Sequence, residues 1–180
     1  VHHALCARTL NYHSIPDHLY WQTKAEPNQA VPWQPTVATF TPSGPREFEI
    51  GYEWEIGAAV PMDRRVFVHF AEGENILFQD DHVPSPGTST WQAGQRVRLG
   101  PHRVTVPEGA KASSVKVYIG LFGPGEGDRV RLAGADAKRR VQLGELGLTP
   151  ALSFVPGGAA PEVDRACFTD ARCPWDPASC

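Results

Sequence analysis

Between residues 47 and 56 the chain alternates without a break. Phe48, Ile50, Tyr52, Trp54 and Ile56 interleave with Glu47, Glu49, Gly51, Glu53 and Glu55. Side chains on a β-strand point to opposite faces with a period of two, so this segment predicts a strand with one apolar and one acidic face. The turn Val60-Pro61-Met62-Asp63 precedes a second strand at Arg65–Phe70. Glu72-Gly73-Glu74-Asn75 then makes a tight turn into a third strand, Ile76–Gln79, pairing with the second as a hairpin. After a long loop from His82 to Gln92, strand pieces follow at Arg96–Leu99 and His102–Val106, on either side of Gly100-Pro101. Further strands are predicted at Val115–Phe122, Arg129–Leu132 and Arg140–Leu146, with a strong Gly/Pro turn at Gly123–Asp128.

No stretch of helical period competes. About seven or eight short strands, with turn signals every 8–12 residues, predict an all-β chain folded as an antiparallel immunoglobulin-like or jelly-roll-type β-sandwich. The sandwich domain is expected over residues 36–149. It is flanked by an irregular arm at 1–35 and an irregular, cysteine-rich tail at 150–180, neither of which keeps a strand or helix period.

Composition agrees. Glycine and proline number 17 each, which favours turns and short strands over long helices. The 180 residues are 41% hydrophobic, enough to bury a core of domain size. A net charge of -3 with the two signs interspersed leaves no basic footprint for nucleic acid. The compact basic cluster Lys138-Arg139-Arg140 reads as a solvated turn before a strand. No apolar run approaches the roughly 20 residues of a membrane-spanning helix. Val1-His2-His3 is neither a basic start nor an apolar run, so an exported form would begin at a mature end.

The four cysteines sit at the two ends: Cys6, then Cys167, Cys173 and Cys180. An even count confined to the ends points to staples and to an oxidising compartment, hence a periplasmic or secreted protein. Of the three pairings, Cys6 with Cys167 and Cys173 with Cys180 is favoured. On the chain-entropy account the short bridge is worth about 2.5 kcal/mol and the end-to-end bridge about 5 kcal/mol. The rival reading is zinc, but the cysteine spacings lack the close pairs of structural zinc sites.

The residues that carry chemistry are few. Seven histidines raise the question of metal. Asp80-Asp81-His82 opens the long loop and is a weak candidate for gathering a cation, against the plainer reading of a solvated or capping turn. His69 reads as a half-exposed strand histidine. His2, His3, His13 and His18 lie on the arm as further candidates for copper or zinc. Glu47, Glu49, Glu53 and Glu55 read as a solvated acidic face, with a basic partner as the alternative, and not as a catalytic pair. No G-x-S-x-G elbow or phosphate cradle occurs. Catalytic and cofactor-binding residues are therefore not assigned, and no cofactor is expected. The best functional opening is aromatic: Tyr20, Trp21, Trp33 and Trp175 lie on the arms, where they dock on the sandwich, meet a protein partner or stack on a sugar. Trp54 and Trp91 are expected in the core.

The stretches Val66-Phe67-Val68-His69-Phe70, Gln79-Asp80-Asp81-His82 with Pro84, Pro86, Thr88, Ser89, Trp91 and Gly94, and Tyr118 with Gly120-Leu121-Phe122, resemble an immunoglobulin-like β-sandwich module of bacterial extracytoplasmic proteins. The resemblance covers residues 37–148. Such modules are appended to membrane glycosyltransferases and to large polysaccharide-active or surface proteins, usually as accessories. It implies the sandwich fold and a Thr-Ser-x-Trp corner in which Thr88 and Ser89 bond nearby backbone and Trp91 closes the core. The function expected is a non-catalytic extracytoplasmic interaction or structural subunit of a larger assembly. The alternatives are a carbohydrate-binding module and, last, a metal-dependent enzyme built around His69 or His82 with Asp80 or Asp81.

Overall fold

The computed structural model describes residues 30–123 and 128–157. Nine strands run in chain order: β1 (Trp33–Pro42), β2 (Glu47–Ile56), β3 (Arg65–Glu72), β4 (Asn75–Gln79), β5 (Arg96–Thr105), β6 (Ser114–Phe122), β7 (Arg129–Val130), β8 (Val141–Gly147) and β9 (Ser153–Pro156). They form two antiparallel sheets. One has the order β1-β2-β5; the other has the order β4-β3-β6-β8-β9, with β7 on β6. The chain changes sheet between β2 and β3, between β4 and β5, and between β5 and β6, which is immunoglobulin-like connectivity in a sandwich.

The alternation in β2 translates directly into packing. Phe48, Ile50, Tyr52 and Trp54 are each 0% exposed, while the glutamates between them face outward. Those glutamates are not a bare acidic face. β5 runs beside β2 and answers them with arginines: Arg98 Nε lies 2.7 Å from Glu53 and Arg103 Nη2 3.5 Å from Glu49, with Arg96 between Glu53 and Glu55 at 3.8 and 3.9 Å. Cross-strand pairing thus neutralises much of the face.

Three strands differ from the sequence expectation, and in the first two the cause is a break in the two-residue period. β1 was not expected as a strand, and the arm was drawn to residue 35. Its register shifts between Val37 and Thr39, so Trp33 and Pro35 face inward on one phase and Phe40 packs against Phe48 on the other. The two pieces around Gly100-Pro101 are one strand, β5, whose register shifts opposite Ile50 and Tyr52. Gly100 takes φ 93°, and a Cβ there would sit 2.9 Å from the Ile50 carbonyl oxygen. In the expected tail, β9 pairs with β8, placing Phe154 opposite Leu146.

The core is centred on indoles. Trp33, Trp54 and Trp91 are all buried; Trp33 stacks on Trp91 and meets Trp54 edge-on. Trp91 is delivered by a 3-10 turn at Thr88–Thr90. The Thr88 hydroxyl is wholly buried and accepts from the Arg64 backbone N–H at 2.7 Å, and the Ser89 N–H donates to the Asp63 carboxylate at 2.9 Å. The corner therefore pins the long loop to the turn before β3, in addition to shaping itself.

Lys138-Arg139-Arg140 is the expected turn before a strand, with Lys138 exposed, but Arg140 departs from the solvated reading. Arg140 is 5% exposed, donates to Asp136 Oδ2 through both Nε and Nη2, and lies over the Tyr118 ring at 4.1 Å. Lys138 pairs with Glu74.

Candidate functional site at the sheet junction

Beyond β4 the chain keeps pairing with β3. Asp80 N–H donates to the Val68 carbonyl, and His82 and Val66 exchange both backbone bonds, each at 2.9 Å. Residues opposite one another across an antiparallel pair share a face. Asp80 and His82 therefore point inward with the core residues Val66 and Val68, and Asp81 points the other way. Its carboxylate accepts from the Val68 N–H at 3.2 Å and takes no place in the cluster.

Two residues from the opposite sheet complete the cluster. Tyr52 of β2 is fully buried and donates its hydroxyl to Asp80 Oδ2 at 3.0 Å. His102 of β5 brings Nδ1 to 3.0 Å from Asp80 Oδ2 and 3.2 Å from Oδ1. The His82 and His102 rings lie edge to face, 4.0 Å between centroids, and Tyr52 stacks on His82 at 5.7 Å. One donor atom from each of Asp80, His82 and His102 can be chosen so that all lie within 4.8 Å of one another. All three side chains are partly shielded, with exposures of 14, 13 and 22%.

The proton positions follow from the partners. His82 Nδ1 lies 2.9 Å from the Asp80 backbone carbonyl, which can only accept, so Nδ1 carries the hydrogen. Nε2 is then a bare lone pair, and it is buried with no hydrogen-bond partner. Burial holds the His82 pKa below the ordinary histidine value, outweighing the nearby carbonyl and carboxylate. Burial, reinforced by the Asp80 charge, raises Tyr52 well above the usual phenol value and keeps it a donor.

Of the residues singled out in the sequence, Asp80 and His82 meet at this junction, Asp81 does not, and His69 is elsewhere. His69 is on the outward side of β3 beside Phe67, at 4.8 Å between ring centroids, and it is 5% exposed instead of half-exposed. Trp33 takes the docking alternative: it is core, not an exposed platform. Cys6, Tyr20, Trp21, Cys167, Cys173, Trp175 and Cys180 lie outside the described residues, as do His2, His3, His13 and His18. Sequence reasoning missed Tyr52 and His102 as partners of Asp80. The signal for His102 was its place in phase with Val104 and Val106, which marks an inward-facing histidine.

A concavity of about 290 Å³ lies elsewhere, beside Arg46, Val106, Ala110, Leu148 and Leu152. Arg46 there donates to the carbonyls of Val106, Pro107 and Ala110, holding the loop after β5. No protein-family model, curated protein or solved structure matches the chain.

Proposed function

We propose that the chain is a non-catalytic subunit of a larger extracytoplasmic assembly, a sandwich scaffold that docks through its arms and its surface. The observation that carries this reading is where the large aromatic and charged groups are spent. Trp33, Trp54 and Trp91 go into one buried group, and the glutamates of β2 are answered by the arginines of β5. That is the economy of a self-contained scaffold, without an aromatic platform among these three indoles. The four cysteines, an even count confined to the two ends, suit an exported chain whose arms are fastened by bridges of Cys6 with Cys167 and Cys173 with Cys180. The resemblance to accessory immunoglobulin-like modules supports the same role.

Native mass spectrometry of the protein isolated from its source tests the reading. A stoichiometric complex with a protein partner is the expected result; a free monomer under the same conditions overturns it. Alkylation of the unreduced, denatured protein should leave all four cysteines unmodified, and four labelled thiols would remove the extracytoplasmic assignment. A glycan array should be blank. Selective glycan binding lost on replacing Tyr20, Trp21 or Trp175 would favour the carbohydrate-binding reading instead.

A further inference from the structure

We infer that Asp80, His82 and His102 form a binding site for a divalent first-row transition ion, with zinc as the reference metal. Three observations converge. The first is donor geometry. Zinc bonds to imidazole nitrogen and carboxylate oxygen run about 2.0–2.2 Å, so two donors on one ion stand at most about 4.4 Å apart. One ring nitrogen or carboxylate oxygen from each of the three side chains can be chosen so that all lie within 4.8 Å of one another, close to that limit. The second is the lone pair of His82 Nε2, buried and without a partner. An unpaired buried acceptor carries a desolvation cost, and a metal ion is a partner that removes it. The third is the support behind the donors. His82 Nδ1 is fixed on the Asp80 carbonyl and Asp80 is fixed by the Tyr52 hydroxyl, the kind of outer hydrogen bonding that orients metal ligands.

The donor set also selects the ion. Two imidazoles and one carboxylate suit zinc, copper, iron or nickel, whereas calcium and magnesium require a majority of oxygen ligands that this junction does not gather. Binding occupies His82 Nε2, an Asp80 oxygen and His102 Nδ1. The proton on His102 Nδ1 leaves to solvent while Nε2 takes one up, so the ring stays neutral. Three protein ligands leave at least one coordination position for water or an external donor group. The site would hold its ion whether or not the chain docks in an assembly.

The arm histidines are competing ligands, so the test uses the full chain with His2, His3, His13 and His18 replaced by alanine. After stripping with chelator, calorimetric titration with Zn²⁺ is expected to show one equivalent bound, with Ca²⁺ and Mg²⁺ giving no heat. His102→Ala and Asp80→Asn should each weaken binding at least about tenfold. Zinc binding unchanged in folded His102→Ala protein, or no zinc binding at all, overturns the site. Should either variant fail to fold, side-chain NMR of the parent protein decides: zinc must shift the His82 Nε2 and His102 Nδ1 resonances together, and their staying in place refutes the assignment.

Discussion

Trp33 lies stacked on Trp91, with ring centroids 5.2 Å apart and planes inclined by 29°. One ring enters from the first residue of β1 and the other from the loop between β4 and β5, so the contact joins segments far apart in the chain. Each indole is also held at its N–H: Trp33 donates to the Ala58 carbonyl and Trp91 to the Pro86 carbonyl. Trp91→Ala should therefore remove a large buried volume and one side of the stack, lowering stability by about 3–5 kcal/mol. Urea unfolding followed by circular dichroism measures it. A loss under about 1 kcal/mol would mean that the loop relaxes to fill the space.

Thr88 offers a sharper test of the corner. Its hydroxyl accepts the Arg64 N–H and lies 3.4 Å from the Met62 carbonyl. Thr88→Val keeps the shape and removes the acceptor, stranding a backbone donor. The expected cost is about 1–3 kcal/mol, and Thr88→Ser should recover most of it. Equal stability of the valine and serine variants would show that the methyl, not the hydroxyl, is what matters there.

Much of the fold was legible because the strands, β2 above all, are apolar runs set between clear turn residues. β2 shows every inward residue in the pattern Phe48, Ile50, Tyr52, Trp54, Ile56, and the hairpin of β3 and β4 is marked by Gly73 in its turn, at φ 57°. What stayed hidden was what bulges and cross-strand neighbours decide. In β1 the shift after Val37 scrambles the pattern, and Pro35 and Pro42 argue against a strand unless it lies at an edge. The candidate site was half legible for the same reason. Asp80 and His82 are two apart and share a face by simple alternation, but their meeting with Tyr52 and His102 depends on how one sheet lies across the other. No local pattern encodes that contact. The four cysteines and the aromatics Tyr20, Trp21 and Trp175 lie outside the described residues.

His69 should make stability depend on pH. It is buried on the outward face of β3, and its Nδ1 has no hydrogen-bond partner. Burial pulls its pKa below the ordinary 6.5; the Asp81 charge opposes this, and Arg129 and Arg140 reinforce it. The native state thus resists a proton that the unfolded chain accepts. As pH falls below the unfolded value, the unfolded state gains protons first and stability declines, levelling only below the native pKa. Comparing urea midpoints between about pH 7.5 and about pH 5 should show a shallower decline in His69→Phe than in the wild type. Parallel curves for the two proteins would show that His69 does not contribute to the slope.

Tyr52→Phe separates the hydroxyl of the junction from the ring that fills it. The ring is fully buried against His82 and His102, and phenylalanine preserves those contacts. What disappears is the donor to Asp80 Oδ2, leaving that oxygen with His102 Nδ1 at 3.0 Å and His82 Nδ1 farther off at 3.8 Å. A hydrogen bond to an ionised carboxylate in a shielded place contributes about 1.5–3 kcal/mol, so the variant should lose stability in that range. Chemical denaturation at neutral pH measures it. A loss under about 0.5 kcal/mol would leave the Tyr52 hydroxyl no part in holding Asp80.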